Sequence, residues 1–242
     1  TMPYPDLRHY SLREYGNRVG IYRFLKCFDE YSIKPTFAMN TRVGERYPYL
    51  LNVIKERNEE IICHGLHMDA IHYGGQDIDE ERELVSRSLD ILRNLTGHDI
   101  TGWISPDRSE SENTPELLAE NGIQYFCDWV NDDMPYEFKT KHGNIVAMPL
   151  SQELEDSFII MNNKHTEDSY AEQICDACDF LIEEATEQGG RILSLNIHPW
   201  MLGQPHRISK LEKILEYITS KNEVWCASAS EILNEYRQSI NT

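Results

Sequence analysis

No apolar run in this 242-residue chain approaches the ~18 residues that a membrane-crossing helix needs, so no membrane span is expected. Basic residues are scarce. The 23 lysines and arginines stand against 41 aspartates and glutamates, a formal charge of −18, which argues against nucleic acid or an anionic membrane as partner. A solvated acidic surface accounts for that balance without naming a substrate. The first residues lack the basic and apolar segments of a secretory signal, and the six cysteines are scattered through mostly apolar runs. Both features fit reduced, buried thiols in a cytoplasmic protein. Cys175 and Cys178 have the spacing of a redox or zinc pair, yet they fall on a helical stripe with Ala171, Ile174, Leu181 and Ile182 and read as core. Linkers, repeats and low-complexity stretches are also lacking, so residues 1–242 read as one domain.

What is present is an alternation of β-rich apolar runs with amphipathic segments. The spacing predicts strands at Lys34–Met39, Glu60–Cys63, Ile100–Ile104, Ile123–Cys127, Ile145–Pro149, Ile192–Ile197 and Glu223–Ala227. Helix ends are legible between them. Asp77 with Glu80 forms a capping pattern before Leu84, Val85, Leu89 and Leu92, and Gly97 stops that helix. Thr114 is expected to cap another, with Pro115 at its first position and Gly122 past its end. The chain is expected to open on a loop, Thr1 to Ser11, before a helix from about Asn17 to Tyr31. The fold class is therefore α/β, a single parallel barrel or barrel-like sheet of about seven strands. No strand precedes the first helix. Either residues upstream of Thr1 carry the opening strand or another segment fills its place.

Two histidines end strands. His198 closes Ile192–Ile197 and enters a turn, and His64 follows Glu60–Cys63 directly. Ligands bind at the carboxyl edge of such sheets, and an imidazole there can move a proton near neutral pH. Both rings are expected to face a shared cavity. His67, Asp69 and His72 follow His64 in the next loop, and three histidines within nine positions form a candidate metal set. The competing reading is a histidine cluster that shapes a pocket without metal. Asp128 ends the strand Ile123–Cys127 and could orient a histidine or bind a substrate N–H. Arg108 could bind a carboxylate or ureido oxygen, or belong to a surface ion pair.

The segments Glu60-Ile-Ile-Cys-His-Gly, Gly102-Trp-Ile-Ser-Pro, Asn113-Thr-Pro-Glu-Leu-Leu, Cys127-Asp-Trp-Val-Asn-Asp-Asp and His198-Pro-Trp together resemble the polysaccharide deacetylase superfamily, the NodB-homology fold. Glu14–Arg18 and Gly203-Gln-Pro-His-Arg resemble its allantoinase-like branch, and the likeness spans roughly residues 5 to 237. The resemblance implies a distorted parallel βα barrel that hydrolyses a non-peptide carbon–nitrogen bond, acting on an N-acetylated sugar or a small cyclic amide such as allantoin. It implies a divalent metal, zinc by preference, at His64 with His67 or His72, because Met68 occupies the position four after His64. It also implies His198 as the acid that protonates the leaving amine; Asp128, from its place at a strand end, is the second catalytic candidate. Arg18, Trp103, Arg108 and Trp129 are the candidate substrate contacts, with a structural role at the helix start as the competing reading for Arg18, and relatives of this type imply a homo-oligomer. The alternative is a catalytically silent barrel that binds a carbohydrate or ureide.

Overall fold

The computed structural model describes residues 6–240, which fall into two compact units, 6–34 with 151–226 and 35–150 with 227–240. Among these residues no helix is long and apolar enough to cross a membrane.

The unit of residues 35–150 and 227–240 holds a six-stranded sheet. Its strands are β1 (Thr36–Met39), β2 (Glu60–Cys63), β3 (Gly102–Trp103), β4 (Tyr125–Phe126), β5 (Tyr136–Phe138) and β6 (Ile145–Ala147), in the order β1-β2-β3-β4-β6-β5. All neighbouring pairs are parallel except β5, which lies antiparallel on the edge beside β6. Five of the seven expected strands are therefore present, and β5 is an addition. Its Tyr-Glu-Phe is too short to give a periodic signal. Ile61, Ile62, Cys63, Trp103, Tyr125, Phe126 and Ile145 to Met148 are buried, as suits strands covered on both faces. The covering helices are α3 (Thr41–Arg46), α4 (Pro48–Glu56), α5 (Ile78–Thr96), α6 (Thr114–Glu120) and α9 (Ala229–Ile240). Leu50, Leu51 and Ile54, then Val85, Leu89 and Leu92, then Leu117 and Leu118 form their buried stripes.

The other unit is helical where it is regular. It contains α1 (Leu7–Tyr15), a π-helical turn Gly16–Gly20, α2 (Ile21–Glu30), a second π-helical turn Phe158–Asn162, α7 (Glu167–Gln188) and α8 (Ile208–Thr219). Residues 192–197 and 223–227, expected as strands, carry no strand pairing among the described residues. They are only partly buried, and Trp225 is exposed. The expected opening loop is instead helical from Leu7, where the Asp6 carboxylate accepts the His9 N–H at 3.0 Å and starts α1; Thr1–Pro5 of that loop lie outside the described residues. Cys175 and Cys178 lie within α7, with Cys178 buried and both thiols free. Burial raises both above the ordinary thiol value, which matches a packing role.

Candidate functional site

Chain direction brings chemistry to the carboxyl ends of β2, β3 and β4. The ladder continues past each assigned strand: the N–H of His64 donates to Met39 O at 3.0 Å, that of Ile104 to Cys63 O at 3.0 Å, and that of Cys127 to Trp103 O at 2.9 Å. His64, Ser105 and Asp128 thus leave neighbouring parallel strands at one edge. Gly65 makes the turn after His64 possible. Its φ is +66°, and a Cβ there would stand 2.7 Å from Pro106 Cγ. His64 Nδ1 lies 2.9 Å from the Ile104 carbonyl, so Nδ1 carries the proton.

Asp128 is buried and held through both oxygens. Ser105 donates its N–H to Oδ1 at 2.7 Å and its hydroxyl to Oδ2 at 2.9 Å, while the Trp103 indole donates to Ser105 Oγ at 2.8 Å. Glu110, absent from the sequence reading, reaches the same carboxylate, and its Oε2 accepts the Trp129 indole N–H at 2.7 Å. Burial, then the Asp128 charge, pushes Glu110 up to about 8. Burial raises Asp128 to about 6 against the bonds from Ser105. An acid in a Ser-Glu-Ser-Glu turn carries no sequence signal that separates it from a solvated one.

The expected metal set does not assemble. Among the described residues no group of three or more His, Cys, Asp or Glu side chains is placed to hold an ion. His72 is buried in a structural network. Its Nδ1 lies 2.9 Å from Glu81 Oε1, which also accepts the Thr114 hydroxyl at 2.6 Å, while Ser111 donates to Oε2 at 2.5 Å. Burial alone would raise the Glu81 carboxyl, but these bonds outweigh it and hold it below its ordinary value. Thr114 is therefore not the cap that the sequence suggested; it begins α6 and turns its hydroxyl to Glu81. His67 is half-exposed, 4.0 Å from Asp69, and Met68 is exposed. The donor set does not fit the implied ion, and no step is assigned to one.

Trp103 is likewise corrected as a substrate contact. It is wholly buried between sheet and helices, offers no surface, and acts through Ser105. Trp129 is 39% exposed, with its ring edge-on to Phe138 at 5.3 Å. Arg108 holds a strained φ of 52° in the Pro106–Arg108 turn, its N–H donating to Ser105 O at 2.9 Å.

The other unit builds a separate acid–base pair. His198 Nδ1 lies 2.6 Å from Asp156 Oδ1, and its backbone N–H donates to Oδ2 at 2.8 Å. The Asp156 side chain is wholly buried, while that of His198 keeps 30% exposure. This two-point clamp places the proton on Nδ1 and leaves Nε2 as the exchanging atom. Burial pulls the imidazole down, but the charge and hydrogen bond of Asp156 outweigh it, and His198 stands above its ordinary value. Asn196 donates to Glu155 Oε2 at 2.8 Å and its carbonyl accepts the Asp156 N–H, fixing the segment that bears both acids. The Trp200 ring lies 5.5 Å from that of His198, and the Arg13 guanidinium sits 4.0 Å from the Trp200 centroid. The turn is set by close backbone approach: a Cβ on Gly20 would stand 2.0 Å from the Pro199 carbonyl oxygen. Arg18 belongs to this packed turn and is exposed. Asp156 escaped the sequence reading because it lies 42 residues before His198, with no local pattern linking them.

A family model described as polysaccharide deacetylase matches residues 14–126. The putative polysaccharide deacetylase of Schizosaccharomyces pombe is 25% identical over 252 residues, covering 96% of this chain and 78% of that protein. A probable polysaccharide deacetylase structure from Pseudomonas aeruginosa PAO1 matches with a TM-score of 0.85 at 29% identity, over 94% of this chain and 76% of that one. The structure of Puue allantoinase matches with a TM-score of 0.88 at 29% identity, over 96% and 77% respectively.

Proposed function

Since the chain belongs to the polysaccharide deacetylase superfamily, with its NodB-like α/β fold, we propose that it hydrolyses a non-peptide amide bond in a small ureide ring or an N-acetylated sugar. The observation that carries this reading is the His198–Asp156 pair. Amide hydrolysis stalls at departure of the amine, a poor leaving group until protonated. An imidazole above its ordinary pKa keeps its second proton to higher pH than a free histidine does, because the buried carboxylate stabilises that charged form. Water adds to the carbonyl carbon, and as the C–N bond of the resulting tetrahedral species breaks to leave the carboxylic acid, His198 Nε2 gives its proton to the departing nitrogen. Asp156 keeps the ring oriented through both its oxygens. The similarity to Puue allantoinase favours the ureide within the class.

The test is paired: release of acetate from an N-acetylated oligosaccharide, and ring opening of a cyclic ureide such as allantoin. His198→Ala should lower the active rate by at least roughly a hundredfold with the circular dichroism spectrum retained. Because His64, His67 and His72 form no donor set, excess chelator should leave the rate unchanged. Met68, exposed four positions after His64, favours a second reading, a silent barrel that binds the same ligands. Saturable binding without turnover of either substrate would establish that reading instead.

A further inference from the structure

Glu110 Oε1 is buried, and no N–H or hydroxyl donor faces it. Its other oxygen is taken by the Trp129 indole. The neighbour within hydrogen-bonding reach is a second carboxyl, that of Asp128, whose own two oxygens are held by Ser105. Two ionised carboxylates pressed together repel, whereas a single proton between them supplies the donor that Oε1 lacks. We propose that Glu110 is the positioning residue of Trp129: one proton shared with Asp128 locks its carboxyl in place, and that carboxyl clips the indole so that its ring meets the substrate.

The rest of the surroundings agree. Phe138 braces the Trp129 ring at 5.3 Å and itself packs on Phe126 at 5.6 Å, so the indole has a fixed wall and a fixed N–H anchor while part of it faces solvent. A ring presented in this way suits the flat face of a ureide or the C–H face of a sugar. The charged groups around the pair act in two directions. Glu81 of α5 adds to the repulsion on Glu110, whereas His72 favours the ionised form of Asp128. Arg108 and the neutral, buried Cys127 thiol lie beside the pair along the chain. Both influences leave the proton with Glu110. Its loss turns a hydrogen-bonded pair into two adjacent charges, and their repulsion moves the Glu110 carboxylate together with the indole N–H it accepts, a bond that by itself favours the ionised form. Substrate contact by Trp129 rests on the proposed hydrolase reading, but the carboxyl pair does not.

The full chain contains four tryptophans, so the Trp129 emission is obtained as the difference from W129F. That component should shift with a midpoint near pH 8 in the parent protein. It should stay flat in Glu110→Gln, whose neutral amide is isosteric with the protonated acid. In Asp128→Asn the midpoint should fall by about one pH unit or more, because the facing charge is gone. A flat parent signal, or a transition that persists in Glu110→Gln, overturns the proposal. On whichever substrate is turned over, Glu110→Ala should raise KM several-fold with kcat little changed, and Glu110→Gln should restore KM. An unchanged KM in Glu110→Ala also overturns it. If neither substrate is turned over, the emission titration still decides the pair while the hydrolase reading fails separately.

Discussion

At the scale of single residues, the orientation of His198 depends on a carboxylate that touches it twice. Asp156→Asn keeps the shape and removes the charge, so the imidazole pKa should fall, as read by NMR of the ring nitrogens. The sign for stability follows from the raised value in the folded chain. The charge contribution of the pair is fully present below the unfolded histidine value, near 6.5, and is lost as pH rises through the folded value. The denaturation gap between parent and Asp156→Asn should therefore be widest in mild acid and narrow above neutrality. A gap independent of pH would mean that only the backbone contact to Oδ2 matters. Gly65 sets a second, purely steric condition. Alanine there must hold a left-handed φ and meet the Pro106 ring, so Gly65→Ala should cost about 1–3 kcal/mol in a urea titration.

At the scale of elements, the cluster around Glu81 ties three pieces of chain together. Helix α5 supplies the carboxylate, the loop after β2 supplies His72, and Ser111 and Thr114 join the start of α6. All four residues are buried, so removing the acceptor leaves donors with no replacement. Glu81→Ala should destabilise by about 3–5 kcal/mol, far more than the ~1 kcal/mol expected for losing the Asp77 cap at the head of the same helix. The Glu81 carboxyl lies below its ordinary 4.5, so its stabilising share is present above that value and disappears as pH falls through the folded one. This network also explains where the sequence was legible. Asp77, Gly97 and Gly122 mark helix ends by local chemistry, and the Asp77 carboxylate does accept from Asp79 N–H and Glu80 N–H. The run Glu60–Cys63 is a strand at the residues expected, because its identity depends only on its own apolar side chains. Partnerships between distant segments leave no such mark. His72 with Glu81, Glu110 with Asp128 and Asp156 with His198 are each made by the fold, so a histidine-rich loop read as metal ligands while one of its members was committed to a helix carboxylate.

At the scale of the whole molecule, charge outweighs individual ion pairs. A formal −18 spread over 242 residues makes the folded chain repel itself. The partly exposed pairs Lys210–Asp168, Lys221–Asp179 and Arg207–Glu167 oppose that repulsion only locally and weakly, since solvent screens them. Added salt weakens both terms, but the repulsion is summed over the whole excess of acids over bases at longer range, and the Debye length contracts from about 30 Å at 0.01 M to about 10 Å at 0.1 M. Screening therefore removes more destabilisation than stabilisation. The thermal midpoint by scanning calorimetry should rise by a few degrees between these two salt concentrations and then level off, since the remaining interactions act at contact distance. A midpoint that falls over the same range would show that the ion pairs dominate. Lowering the pH towards the sequence pI of about 4.8 separates the cases further. It neutralises the surface repulsion while the Glu81 network still holds its charge, so the salt effect should shrink before the fold is lost.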